Sequence, residues 1–246
     1  NVCSSKPNRL NTCCRFTKPK NQYMIQASHV SKAYQTPAGA VTVLRKLDLT
    51  VDAGETVAIV GPSGSGKTTL LNLLGALDQP TDGSITIDGV AIAGLDAGAA
   101  ARFRNRSVGF IFQLHYLLPQ CTVLENVLVP RLAGGWEEDA ATTRARAEAL
   151  LQQVGLQERI SHRPYQLSGG EQLRVAIARA LINQPKIILA DEPTGSLDPD
   201  TGERIADLLL RANEVARVAL VVVTHNTGLA QRMQKTYRLE AGRLVV

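Results

Sequence analysis

The stretch Thr56–Leu71, TVAIVGPSGSGKTTLL, decides how the rest of the chain is read. Val57–Val60 is an unbroken apolar run of the kind that fills a buried strand. It leads into Gly61-Pro62-Ser63-Gly64-Ser65-Gly66-Lys67-Thr68, which fits the phosphate-binding spacing G-x-x-x-x-G-K-[ST]. Thr69 follows, and Leu70, Leu71, Leu73 and Leu74 then open a helix. Strand, glycine loop and helix in that order give the pattern a mechanism. Glycines let backbone N–H groups converge on phosphate oxygens, and the positive end of the next helix adds to the attraction. Lys67 supplies a charge for the outer phosphates. The Thr68 hydroxyl suits Mg²⁺, which keeps most of its waters and takes few protein ligands.

Working outward, apolar runs alternate with helical patterns. Leu47, Leu49 and Val51 alternate with polar residues, as in a half-buried strand. Pro80-Thr81-Asp82-Gly83 reads as a turn, and Ile85 and Ile87 as a short strand ending at Asp88-Gly89. Val108–Phe112 is an apolar strand that ends at Gln113. The region Leu114–Tyr165 reads as a mostly helical insert, with Ala147, Leu150, Leu151 and Val154 on one stripe and Gly155 at its C-terminal cap. Gly170–Ala180 is a second helix, and Ile205, Leu208, Leu209 and Ala212 mark another. Ile187–Ala190 and Val218–Val223 are buried strands. Such alternation predicts an α/β fold with a mainly parallel core sheet. Ligands of such sheets bind at the carboxyl ends of strands. Gly61, Gln113, Asp191 and His225 all follow strands, which places four polar landmarks around one nucleotide site.

Two further segments carry chemistry. Asp191 at the mouth of a buried strand suits the Mg²⁺ shell, and Glu192 beside it can orient or deprotonate an attacking water. Ser168-Gly169-Gly170 precedes a helix, with Ser168 placed as an N-cap or anion ligand.

Composition sets limits. The chain has 246 residues, 44% of them hydrophobic, enough for one large domain with a sizeable core. No apolar run approaches the ~18 residues of a membrane span, so a soluble chain is expected. The net charge of +5 points toward nucleic acid only superficially. Five of the 27 basic residues lie before Met24, leaving 22 against 22 acidic ones in the part that follows. A neutral domain lacks the footprint of a nucleic-acid binder, and none is expected as a partner. Cys121 is alone outside the N-terminal segment, a pattern that fits a reducing compartment. Residues 1–23 are polar, basic and aperiodic, and are expected to be a disordered extension. Met24 is the expected native start, the residues before it being an upstream segment or an artefact; an organelle transit peptide is the alternative.

Taken together, the phosphate loop, Gln113, LSGGE at Leu167–Glu171, ILADE at Ile188–Glu192, Pro193–Asp198 and Thr224-His225 resemble the nucleotide-binding domain of ABC transporters, over roughly Met24 to Val246. The resemblance implies a RecA-like P-loop core, an N-terminal antiparallel β subdomain and a helical subdomain inserted at about 114–166. It implies an ATPase using ATP and Mg²⁺, with Tyr34 on the adenine and Gly61–Thr69 around the phosphates. Thr68, Gln113 and Asp191 would hold the metal. Glu192 would be the catalytic base, and His225 would contact the γ-phosphate. Ser168, Gly169 and Gly170 would bind the nucleotide of an opposite copy, and Asp198 would bridge the two, so hydrolysis would need a homodimer. Asn226 stands where the family often has Asp, and Leu173 where a polar residue is usual; hydrolysis is expected to survive both.

Within the family, Leu74–Asp78, Phe112–Pro119, Leu124–Val127 and Ala190–Gly195 resemble the LolD and MacB branch. That likeness implies a peripheral subunit on the cytoplasmic face of the inner membrane, driving a separate permease of LolC/LolE or MacB type in lipoprotein release or export. The alternatives are an FtsE-like ATPase that signals to cell-wall hydrolases and a soluble ABC ATPase outside transport.

Overall fold

The computed structural model describes residues 23–245 apart from 38, 134 and 196. The core sheet is built from β3 (Thr56–Val60), β6 (Val108–Ile111), β7 (Ile187–Asp191), β8 (Ala219–Val223), β9 (Lys235–Glu240) and β10 (Arg243–Val245). Their order is β10-β9-β3-β8-β7-β6, with every pair parallel except the closing β9–β10 hairpin. Parallel strands covered on both faces read as continuous apolar runs, and this explains the sequence pattern. Side chains alternate between the faces. Val57, Ile59, Leu189 and Val221 join one cluster, and Ala58, Ile188, Ala190 and Val222 the other.

The first cluster is closed by α1 (Lys67–Leu74) and by a second, antiparallel sheet. That sheet comprises β1 (Tyr23–Thr36), β2 (Gly39–Asp52), β4 (Asp82–Ile87) and β5 (Val90–Ala91), in the order β2-β1-β4-β5. Phe103 of α2 (Ala97–Ser107) packs on the same cluster. The second face is covered by α5 (Gly169–Leu181), α6 (Pro199–Ala216) and α7 (Thr227–Gln231). A third cluster joins α3 (Val123–Leu128) and α4 (Ala140–Gln153) to the flank of α5 through Val123, Val127, Ala147, Leu151 and Val175.

Several elements differ in detail from the sequence reading. Residues 114–122 are irregular rather than helical; Leu118 precedes Pro119, which disfavours helical backbone there. On α6 the buried line runs through Gly202, Ile205, Ala206, Leu209 and Asn213, leaving Ala212 half-buried. Leu208 is half-buried because it faces the gap between the second and third clusters. Gly155 lies just past α4, with φ +69. Leu173, the departure from a polar residue, is fully buried in the second cluster. The expectation of a disordered segment at 1–23 lies outside the described residues, apart from Tyr23, which opens β1. No described helix is long and apolar enough to cross a membrane.

Candidate nucleotide site

The carboxyl ends of β3, β6, β7 and β8 point to one rim; Asp191 ends β7 there, and the loops leaving the other strands carry Gly61, Gln113 and His225. Two glycines show why the phosphate loop needs its composition. A Cβ at Gly61 would come 2.6 Å from the Leu239 carbonyl oxygen. Gly66 has φ +103, a backbone that side chains resist, and its Cβ would meet Val43 at 2.9 Å. Gly66 is also the N-cap of α1, and it brings no side-chain acceptor. The other six described α-helices are capped by Asp96, Thr122, Asp139, Ser168, Asp198 and Asn226. The first N–H groups of α1 are therefore free to bind an anion.

Lys67 lies over this loop, its Nζ donating to the carbonyls of Gly61 at 2.9 Å and Pro62 at 3.1 Å. The Thr68 hydroxyl donates to Asp191 Oδ2 at 3.2 Å, joining the loop to the end of β7. Burial pushes the Asp191 pKa upward, and the adjacent Glu192 charge adds to this; the Thr68 hydrogen bond and the Lys67 charge oppose it. The half-buried Asp191 carboxylate and the Thr68 hydroxyl are a pair of hard-oxygen donors, and Gln113, exposed, follows the neighbouring strand β6. The pair fits Mg²⁺, which completes its shell with water and phosphate.

Glu192 turns out of the sheet with φ +45. Its N–H donates to the Val223 carbonyl at 2.9 Å. Its Oε2 accepts the His225 N–H at 3.1 Å and lies 2.9 Å from His225 Nδ1. The carboxylate is 13% exposed and the imidazole 66%, so histidine reaches outward from a sheltered acid. Asn226 caps α7 through Oδ1 and donates from Nδ2 to Thr194 at 3.2 Å, fixing the histidine's neighbour.

Tyr34 is 39% exposed. Its hydroxyl donates to Asp78 Oδ2 at 2.8 Å, and Lys32 Nζ sits 4.8 Å from the ring centroid. Burial and the neighbouring Asp78 raise the tyrosine pKa. Burial would raise that of Asp78 too, but hydrogen bonds from Lys32, Tyr34 and the Gln79 N–H hold it low. Lys32 and Asp78 escaped the sequence reading. Lys32 stands two residues before the aromatic, but Asp78 lies 44 residues beyond it, so no local pattern joins the three.

The Ser168 segment forms a separate surface. Ser168 caps α5 in a reciprocal box, its Oγ accepting the Glu171 N–H at 3.3 Å while Glu171 Oε2 accepts from the Ser168 N–H and hydroxyl. The N–H of Thr201 donates to Asp198 at 2.9 Å, capping α6 alongside. Ser168, Gly169, Gly170 and Asp198 line one polar depression. Among the described residues, no hydrogen bond or ion pair joins it to the phosphate loop.

A P-loop core whose β7 ends in paired acids, with a glycine-rich cap of this kind on α5, defines an ATPase of the ABC class. The sequence model described as "ABC transporter" matches residues 44–195, and the chain belongs to that family. It is 50% identical over 222 residues to the lipoprotein-releasing system ATP-binding protein LolD 1 of Rhodopirellula baltica, covering 90% of this chain and 96% of that one. It is 49% identical to LolD of Pseudomonas syringae pv. tomato over 90% and 97%. Among solved structures it is similar to the ATP-binding cassette MJ0796 in a dimeric, post-hydrolysis state bound to ADP and Pi. That match has TM-score 0.83 and 40% identity, over 91% of this chain and 97% of that one. The chain is the ATP-binding and ATP-hydrolysing subunit of an ABC transporter.

Proposed function

We propose that two copies of this chain close head to tail around two ATP molecules and that this closure drives a separate membrane permease in lipoprotein release. The observation that carries the reading is the Asp191-Glu192 pair. One acid is bonded to the phosphate-loop threonine and the other is held by the histidine at the end of β8.

In this account the adenine stacks on Tyr34, steadied by Asp78. Backbone groups of Gly61–Thr69 and the Lys67 ammonium hold the phosphates. Thr68, Asp191 and Gln113 would hold Mg²⁺, directly or through water. When bound, the ion would supply positive charge to offset that of the phosphates. Glu192 takes a proton from water as the water oxygen bonds to the γ-phosphorus; the bond to the β-phosphate oxygen breaks, and ADP leaves with that electron pair. His225, held by Glu192 and exposed at its tip, contacts the γ-phosphate. Ser168, Gly169 and Gly170 serve the nucleotide of the other copy, and Asp198 meets the partner across the seam. The separation of this surface from the phosphate loop within one chain supports the dimer, as does the dimeric state of the similar cassette.

Leu77, Leu114, Tyr116, Leu118 and Leu132 are exposed, and Leu77 and Tyr116 line a groove of about 430 Å³ with Phe110 and Phe112. This apolar groove supports a permease of the LolC/LolE kind as partner, and with it a peripheral position at the cytoplasmic face of the inner membrane. The LolD names of the similar proteins support the lipoprotein cargo. The domain limits follow the same reading: one ABC ATPase domain from residue 24, with residues 114–166 as its helical insert. The test is a pull-down from detergent-solubilised membranes with the Glu192→Gln variant and ATP. Recovery of a membrane protein with a few spans and a large extracytoplasmic domain is expected. Recovery of ribosomes, nucleic acid or a soluble assembly factor instead overturns the transport assignment.

A further inference from the structure

The segment between β6 and α3 contains consecutive non-glycine residues in left-handed backbone, His115 at φ 60 and Tyr116 at φ 47. Such a pair resists forming unaided, because Cβ crowds the carbonyl at each position. Its supports come from elsewhere in the fold. Arg179, in the last turn of α5, donates from Nη2 to the His115 carbonyl at 2.5 Å and from Nη1 to the Tyr116 carbonyl at 2.7 Å. Among the described residues no carboxylate pairs with this half-buried guanidinium, so the two carbonyls are the acceptors it is given. Asn126, fully buried on α3, accepts the Leu118 N–H at 2.7 Å and donates to the Leu118 carbonyl at 3.1 Å. Gln113 thus lies between β6 and a kink pinned from α5.

We infer that Arg179 is a positioning residue for hydrolysis: it holds the left-handed kink at His115–Tyr116 and thereby fixes where Gln113 presents its amide to the Mg²⁺-nucleotide. Gln113 stands just beyond the end of β6, with the strand behind it and the kink ahead, and no side-chain hydrogen bond holds it among the described residues. The same helix carries Ser168 at its N-cap, about 20 Å from its far end at ~1.5 Å per residue. A rigid rod therefore links the surface offered to the other copy with the placement of Gln113. The inference rests on the proposed role of Gln113.

The test uses the full chain. Arg179→Met keeps the stem and removes the donors; Arg179→Lys keeps the charge but gathers its donors on a single nitrogen. In the nucleotide-free protein, hydrogen exchange of the peptide spanning 113–119 is expected to rise at least tenfold in Arg179→Met, with β3 and β7 unchanged. The Mg²⁺ concentration for half-maximal hydrolysis is expected to rise and kcat to fall about tenfold, while ATP affinity without Mg²⁺ stays within about twofold. Arg179→Lys should be intermediate. Adding His115→Gly and Tyr116→Gly, which removes the left-handed penalty, should recover at least threefold of the loss. Unchanged exchange and unchanged Mg²⁺ requirement in Arg179→Met overturn the inference, and so does a glycine pair that restores nothing. If Arg179→Met does not fold, the same readings on Arg179→Lys decide. Gln113→Ala separates the two layers. If it leaves the Mg²⁺ requirement unchanged, the role of Gln113 is wrong; if it raises that requirement while Arg179→Met does not, only the positioning inference fails.

Discussion

Glu192→Gln removes the base and little else. The amide is nearly isosteric, and its oxygen can still accept the His225 N–H that Glu192 Oε2 takes at 3.1 Å. The positive-φ turn at Glu192 is held by its own N–H on the Val223 carbonyl, which the substitution leaves alone. What disappears is a carboxylate able to accept a proton, 2.9 Å from His225 Nδ1 and sheltered at 13% exposure. A positioned general base contributes roughly 10²–10⁴ in rate. That equals about 2.7–5.4 kcal/mol of barrier at ~1.36 kcal/mol per tenfold. Phosphate release at saturating Mg²⁺-ATP should therefore fall by at least a hundredfold. Binding of a fluorescent ATP analogue should stay within about threefold, because Lys67, Thr68 and the loop N–H groups are untouched. A kcat within fivefold of the unsubstituted protein would refute the assignment of Glu192 as base.

Other perturbations separate binding from stability. Lys67→Ala removes the ammonium now resting on the Gly61 and Pro62 carbonyls, and equilibrium titration should show a loss of nucleotide affinity of at least tenfold. Gly75→Ala would place a Cβ 2.3 Å from Phe110 Cζ, beside the Phe110–Phe112 stack; overpacking of that kind costs about 1–3 kcal/mol, read as a lower urea midpoint. Asp191 has a raised pKa when folded, so its contribution to stability without nucleotide is complete below the unfolded pKa. It is lost as pH rises through the folded value. Asp191→Asn should therefore flatten the decline in thermal midpoint of the nucleotide-free protein from about pH 4 upward, where aspartate begins to ionise.

Local signals were legible in the sequence. Glycine spacing, continuous apolar runs and capping residues are short-range features, and β3, α1, α5 and β7 follow from them. α2 was not legible, since only Ala100 and Phe103 are buried among its small and charged residues. β9, KTYRLE, carries charges through its pattern and shows little apolar alternation. The long β1–β2 hairpin hides behind register shifts that break its period of two. At the site, each acid and base was visible at its strand end, but their pairing was not. Glu192 meets His225 across 33 residues, and Arg179 meets the segment after Gln113 across more than 60. Those contacts depend on strand order and helix placement, which no local pattern encodes. The pairing of the N-terminal strands into one sheet and the Tyr34–Asp78 contact likewise came from family resemblance or from the fold itself.

The central claim is that one nucleotide site is shared by two copies. Sedimentation equilibrium of Glu192→Gln with and without Mg²⁺-ATP tests it, alongside Glu192→Gln carrying Gly169→Asp. A Cβ at Gly169 would meet only Leu197 at 3.7 Å, so the second change is tolerated within the chain yet adds bulk and negative charge on the outward surface. The account predicts that ATP doubles the mass from 26.4 kDa and that Gly169→Asp abolishes the doubling while leaving ATP bound. A Glu192→Gln protein that binds ATP and stays at the mass of one chain would contradict it.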